Sequence, residues 1–353
     1  MDLLQRTLRS IEPADPVIRQ SARTRQDSLI KPRGSLGRLE ELACRVAGMT
    51  RCLKPTVNRG VVFVMVGDHG VVEEGVSPYP QAVTAQMLGM LGRGRAAVNL
   101  LADIAGVEVV VVDVGSRADP TTLPAGVVVA KVASGTNNIA RGPAMSWGQA
   151  VECVEVGIRL VQQQHKRGLD LAATGDMGIG NTTPSAAVAA ALTGEPVEAL
   201  AGPGSGLPAA RLGHKCQVIK RSLEANRPNP SRPLDVLAKV GGFEIGAIAG
   251  VILGCAASRI PVVIDGFISG AAALLAARLA PAARDYMIAG HLSAEPGHAL
   301  VLKHLGLEPL LRLEMRLGEG TGACLGMLLV KAALKLGAEL PTFSEAGVSD
   351  REG

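Results

Sequence analysis

The stretch Ala173-Thr-Gly-Asp-Met-Gly-Ile-Gly-Asn-Thr-Thr-Pro-Ser-Ala186 decides the fold. A short apolar run, Leu169 to Ala173, leads into it, and small helix-forming residues, Ala186 to Leu192, follow. The pattern predicts a strand, a glycine-rich turn and a helix. Gly175, Gly178 and Gly180 let backbone come close to a ligand, because no side chain stands in the way. Asn181 or Thr182 is placed to cap the helix, and free N–H groups at such a start attract an anion. Two readings are open at this point: a phosphate site, or a tight turn between packed elements.

Working outward, the same pattern recurs. Val61-Val-Phe-Val-Met-Val66 is a β-branched run without alternation, as expected of a strand buried on both faces. Further strands are predicted near 107–113, 169–173, 261–265 and 285–290. Helices are predicted over 35–50, 82–90, 96–105, 142–167, 208–225, 244–257, 269–279, 296–305 and 321–336. Two short helices are expected before residue 26. Residues 119–136 read as an excursion or hairpin, and 226–233, with three prolines, as a loop. Strands that alternate with helices imply an α/β protein with a doubly wound, mostly parallel sheet flanked by helices. No strand is predicted before residue 61. The division expected is a smaller helical domain from 1–55 with about 337–353, and a large domain over 56–336 that carries the active site.

Composition narrows the function classes. The chain has 353 residues, 47% hydrophobic and 19% charged, which suits a well-buried globular protein. Aromatics are 2%, with Trp147 the single tryptophan, so stacking platforms for nucleic acid are not expected. The net charge of +4 is small for this length and points to small anionic ligands, not a nucleic-acid surface. The six cysteines, at 44, 52, 153, 216, 255 and 324, form no C-x-x-C. They read as reduced thiols of a cytoplasmic protein. The N-terminus has no signal-peptide core, and the apolar stretch 245–257 is too short to span a bilayer.

Nearly every predicted strand ends in Gly and Asp or His: Gly67-Asp-His69, Asp113 with Gly115, Gly175-Asp176, Asp265-Gly266, and Gly290-His291. Open α/β sheets bind ligands outside the carboxyl ends of their strands, so these groups are expected to converge. Further glycine clusters, Gly202-Pro-Gly-Ser-Gly206 and Gly318-Glu-Gly-Thr-Gly322, open later helices. There is no P-loop, no G-x-G-x-x-G dinucleotide fingerprint and no G-x-S-x-G elbow. Asp68-His69 lacks the ligand count of a metal centre, so no metal and no cofactor is expected.

Several motifs together resemble one family. They are Lys31-Pro-Arg-Gly-Ser-Leu, Gly67-Asp-His-Gly-Val, Gly75-Val-Ser-Pro-Tyr-Pro with Val83-Thr-Ala-Gln-Met87, Gly135-Thr-Asn-Asn138, Gly175-Asp-Met-Gly-Ile-Gly-Asn-Thr-Thr183, Val263-Ile-Asp-Gly-Phe267, His291-Leu-Ser-Ala-Glu-Pro-Gly-His298 and Arg316-Leu-Gly-Glu-Gly-Thr-Gly-Ala323. This set resembles the nicotinate-nucleotide:5,6-dimethylbenzimidazole phosphoribosyltransferases of the cobalamin lower-ligand pathway, over almost the whole chain. One departure is Asp176, where the family pattern reads Gly-Glu-Met-Gly; the carboxylate is one methylene shorter.

The resemblance implies transfer of phosphoribose from nicotinate mononucleotide to a benzimidazole, with inversion at the anomeric carbon, by a homodimer. It implies Glu319 as the catalytic base, in the Arg-Leu-Gly-Glu-Gly pattern. Phosphate and ribose are expected among Asp176, Gly178, Gly180, Asn181, Gly202, Gly204, Asp265, Ser293 and Gly320, with Lys215 as the cation. Ser77, Tyr79, Gln86 and Met87 are expected to line the benzimidazole site. Plain alternatives stand beside these: a solvated helix lysine for Lys215, a surface polar group for Gln86, and a helix-dipole glutamate for Glu319. A non-catalytic ribazole- or nucleotide-binding protein, or another nucleotide-dependent transferase, is the competing function.

Overall fold

Valine-rich runs form the centre of the molecule. The computed structural model describes residues 2–350. Strand β1, Gly60–Gly67, is buried along its whole length. β2, Glu108–Gly115, pairs with it in parallel from Val61↔Glu108 onward. The remaining strands of the sheet are β3 (Val127–Val129), β4 (Leu171–Met177), β5 (Val262–Ile264) and β6 (Met287–Ala289). Their order is β3-β2-β1-β4-β5-β6, and every pairing is parallel. The chain winds outward from β1 through β2 to β3, then returns to β1's other side as β4. This reversal, between β1 and β4, is where doubly wound sheets open a crevice. A separate parallel pair, β7 (His291–Leu292) with β8 (Leu311–Arg312), follows β6 in the chain.

Three local expectations are corrected. Residues 127–129 form neither hairpin nor excursion but the parallel edge strand β3, because Val111–Asp113 offer a free edge to pair with. The third predicted strand, 169–173, runs instead from 171 to 177: Gly175, Asp176 and Met177 keep their register against Val64, Met65 and Val66. The helix expected from 142 starts at Trp147, where Ser146 and Gln149 form a capping box.

Helices cover both faces. Trp147–His165 and the buried, largely apolar Phe243–Ala257 pack closely on each other. Thr321–Glu339 packs against the helix Arg38–Thr50, the helix Ala97–Ala105 and β4. It is long and apolar enough to cross a membrane by length and composition, but 56% of that window is buried inside the fold. The first helix, Leu3–Ser10, lies on the two closely packed helices, and the Leu4 N–H donates to Glu155. Pro16–Ser28 packs on Arg38–Thr50, and Leu29 bridges to Thr342 near the C-terminus.

Candidate active site

Three of the five strand ends converge on a cleft, those of β4, β5 and β6, whereas Asp68 and His69 after β1 and Asp113 and Gly115 of β2 do not line it. The cleft, of about 550 Å³, lies beyond the carboxyl ends of β4 and β5. Its walls include Asp176 at the end of β4, Gly178 and Asn181 after it, Gly204 and Ser205, Ser293 and Glu295 after β7, and the turn Gly318-Glu319. Tyr79 and Met87 close one side.

Glu319 is placed by an unusual piece of backbone. Gly318, Glu319 and Gly320 have φ of +85°, +60° and +93°, three positive values in a row. This region is costly for a side-chain-bearing residue such as Glu319 and ordinary for glycine. The Glu319 N–H donates to the carbonyl of Asp176 at the end of β4, 3.1 Å. Its side chain is buried, and Oε2 has no hydrogen-bond partner. Burial holds its pKa above the ordinary glutamate value; the Val98 N–H opposes this and Asp265 adds to it.

Asp176 belongs to the same group. Asn181 Nδ2 donates to its Oδ2 at 2.9 Å, and Oδ1 is buried without a partner. Burial, then the charges of Asp265 and Glu244, push it well above the usual carboxylate range. Asp265 itself accepts from the N–H groups of Gly320, 3.2 Å, and Ala323, 2.9 Å. His291 Nε2 stands 3.6 Å from it. His298 accepts from the Ser293 N–H through Nδ1, and burial pushes it down to about 3, so it is neutral.

Lys215 is fully buried behind the wall of the cleft. Its Nζ donates to Thr182 Oγ1, 2.7 Å, and to the Gly202 carbonyl, 2.8 Å. Burial pushes its pKa down to about 8, against the pull of Glu295. Glu295 in turn accepts from the Gly204 N–H, 2.8 Å. The cation in the wall itself is Arg316, which donates to the Gly204 carbonyl at 2.9 Å.

The expected residues therefore fall into four placements. Tyr79, Met87, Asp176, Gly178, Asn181, Gly204, Ser293 and Glu319 line the cleft. Ser77 and Gly180 line a small recess beside it, where Ser77 meets Ser205. Gly202, Lys215, Asp265 and Gly320 stand behind the walls, tied to them by hydrogen bonds. Gln86 is an exposed helix residue and lines neither space. His291, expected among the converging strand ends, does line the cleft. Sequence reasoning misses Arg316 and Glu295, both of which lie in the quoted motifs. It also misses the partner of His69: Glu244 Oε1, 2.9 Å away, with both side chains buried. Burial disfavours the imidazolium, but Glu244 outweighs that and raises the His69 pKa. His69 thus serves a buried ion pair beneath the Gly178 turn.

A buried carboxylate at the wall, apolar side chains from Met87, Ile179, Phe267 and Ile268, and an arginine near a glycine turn fit chemistry on a phosphorylated, ring-bearing substrate. That combination, on a doubly wound sheet, fits a nucleotide-using transferase. The chain belongs to the phosphoribosyltransferase family, whose model matches residues 11–348, and it is a phosphoribosyltransferase. It is 60% identical over 349 residues to the nicotinate-nucleotide–dimethylbenzimidazole phosphoribosyltransferase of Desulforudis audaxviator (strain MP104C), covering 99% of each chain. The enzyme of the same name from Chloroflexus aggregans (strain MD-66 / DSM 9485) is 54% identical, over 100% of this chain and 99% of the relative. The crystal structure of CobT from Thermus thermophilus superposes with a TM-score of 0.91 at 47% identity, over 95% of this chain and 99% of that one.

Proposed function

We propose that this enzyme transfers the phosphoribosyl group of nicotinate mononucleotide to 5,6-dimethylbenzimidazole, in the lower-ligand branch of cobalamin biosynthesis. The products are nicotinate and α-ribazole 5′-phosphate, with inversion at the anomeric carbon. The observation that carries the mechanism is Glu319, a buried carboxylate on a fixed turn at the cleft wall with one oxygen free of any partner.

The bond from C1′ to the pyridinium nitrogen breaks, and its electron pair returns to the ring, so the leaving group needs no proton. The azole nitrogen forms the new bond to C1′ from the opposite face. Glu319 takes the N–H proton of the azole, which makes the other nitrogen the better nucleophile. Positioning supplies the rest. The phosphate sits among Gly178, Asn181 and Gly204, with Gly180 in the adjoining recess, Lys215 holding Thr182 and Gly202 from behind, and Arg316 beside it. Ser293 and Asp176 face the ribose. Tyr79 and Met87 flank the benzimidazole, near Ser77; the exposure of Gln86 leaves it the weakest member of that set.

We read the working form as a cytoplasmic homodimer. All six cysteines are free thiols, which suits a reducing compartment. Leu100 and Ile104, one turn apart on the helix Ala97–Ala105, are 64% and 70% exposed and suit a covering second copy. We also keep the division into a smaller helical body, 1–55 with about 337–353, and a large one; Arg25 donates to the carbonyls of Gly337 and Leu340, which supports it. Met1 and residues 351–353 of that body lie outside the described residues.

Release of nicotinate from nicotinate mononucleotide in the presence of dimethylbenzimidazole tests the reading. Glu319→Gln should lower kcat by about 10²–10⁴ while nucleotide affinity and fold persist. A base must be deprotonated to act, and burial raises the Glu319 pKa in the unliganded enzyme, so the acid limb of the kcat/KM profile should lie above that of an ordinary glutamate. Wild-type turnover in the Gln variant would remove Glu319 from the mechanism.

A further inference from the structure

The final long helix, Thr321–Glu339, starts at Gly320 with no side chain of its own to cap it. The first N–H groups of a helix need partners from elsewhere. Asp265 supplies them from the end of β5. Its Oδ2 accepts from Gly320 N–H and its Oδ1 from Ala323 N–H, at 3.2 and 2.9 Å. The Asp265 backbone N–H donates in turn to Thr174 Oγ1 on β4, 3.3 Å. Asp265 is 1% exposed and is absent from the cleft wall.

Glu319 is thereby fastened on both sides. Its own N–H is held by the Asp176 carbonyl on β4, and the next N–H along the chain is held by Asp265 after β5. The Thr321 hydroxyl closes the same turn by donating to the Gly318 carbonyl, 2.8 Å. His291 stands 3.6 Å from the same Asp265 oxygen, Oδ1, and its ring lies so close to Gly322 that an added Cβ would come within 2.0 Å of it.

We propose that Asp265 is a positioning residue for Glu319: it caps the last long helix across the sheet and locks the left-handed turn on which the base stands. This rests on the reading of Glu319 as the base. It replaces the expectation that Asp265 touches ribose or phosphate.

The test uses the full-length enzyme with Asp265→Ala, Asp265→Asn, Glu319→Gln and the double variant Asp265→Ala/Glu319→Gln. A misplacement near 1 Å can cost about 10²-fold, so Asp265→Ala should lose about that factor in kcat. The KM for nicotinate mononucleotide should stay within about twofold, since no binding contact is lost. Asp265→Asn keeps one acceptor oxygen and should recover part of the turnover. In the Glu319→Gln background, Asp265→Ala should cost little more, because both act through one group. A raised KM at constant kcat would make Asp265 a substrate ligand and overturn the proposal, as would a full additive loss in the double variant. If Asp265→Ala does not fold, Asp265→Asn carries the same comparison, alone and with Glu319→Gln. Wild-type turnover in Glu319→Gln alone would instead sink the assignment of the base, a separate outcome read from a separate variant.

Discussion

Two glycine-rich stretches meet at the cleft, and they use glycine for opposite reasons. In Gly175–Gly180 the chain is still strand through Met177, and of its three glycines only Gly180, at φ +85°, is left-handed. Gly175 and Gly178 are there for a neighbour. A Cβ on Gly175 would lie 2.4 Å from the Glu319 carbonyl oxygen, and one on Gly178 would lie 2.3 Å from the Gly67 carbonyl oxygen. In Gly318–Gly320 the backbone itself requires the glycines, with φ of +85° and +93° on either side of Glu319. Gly175 and Gly178 make room for a distant chain, whereas Gly318 and Gly320 bend their own, Gly320 also lying against Val62. The two sets interlock, because the missing side chain of Gly175 is the space into which the Glu319 peptide fits.

The comparison can be broken most forcefully at Gly175. The atom a new methyl would strike is backbone, which cannot swing aside. Gly175→Ala should therefore lower stability by about 1–3 kcal/mol in urea unfolding. Displacing the Glu319 turn should also cost up to about 10²-fold in kcat. A silent Gly175→Ala would mean that the contact is slack. At Gly318 the nearest atom to an added Cβ is Asp176 Oδ2, 3.2 Å away, so the main penalty is the left-handed φ. Gly318→Ala should lose roughly 1–2 kcal/mol. Gly318→Asn should recover part of that, because Asn tolerates this region. Gly175→Asn should recover nothing. Equal behaviour of Asn at both sites would erase the distinction between the two uses of glycine.

These two uses explain what the sequence can and cannot disclose. β1 and β2 are legible because a run of Val with no alternation has few other homes than a doubly covered strand. β4 reads as ending at Ala173 because Thr-Gly-Asp has the composition of a turn; the glycine there answers to Glu319, more than a hundred positions away, and no local window contains that fact. β3 escapes the pattern because three valines carry no sign of which edge they will join. Among the site residues, Glu319 stands out because two glycines around one carboxylate are a local signal. Lys215 looks like a cleft cation on its helix, and only packing reveals that Thr182 and Gly202 occupy its ammonium. Arg316 lies four residues after Arg312 in an irregular segment with no periodicity to aim it, so its place beside Gly204 is not readable.

The smallest effect is the sharpest, and it lies at Glu319 itself. At an ordinary position, replacing Gly by Ala stabilises a protein by about 0.4–1 kcal/mol, because the unfolded chain has less freedom to lose. At φ +60° the sign should reverse. Any Cβ in the left-handed region costs roughly 1–2 kcal/mol, and Ala bears that where Gly does not. Both Glu319→Gly and Glu319→Ala remove the buried carboxylate, so that loss cancels between them. What remains is backbone alone: Glu319→Gly should unfold at a higher urea concentration than Glu319→Ala, by a difference of about 1 kcal/mol or less. If Ala proves the more stable of the two, the turn must relax out of the left-handed region once the carboxylate is gone. The strain would then be imposed by the glutamate's own contacts, and the ties from Asp176 and Asp265 would not suffice to hold the turn. If Gly is the more stable, the turn stands without its side chain, and the flanking peptide bonds are what aim the base.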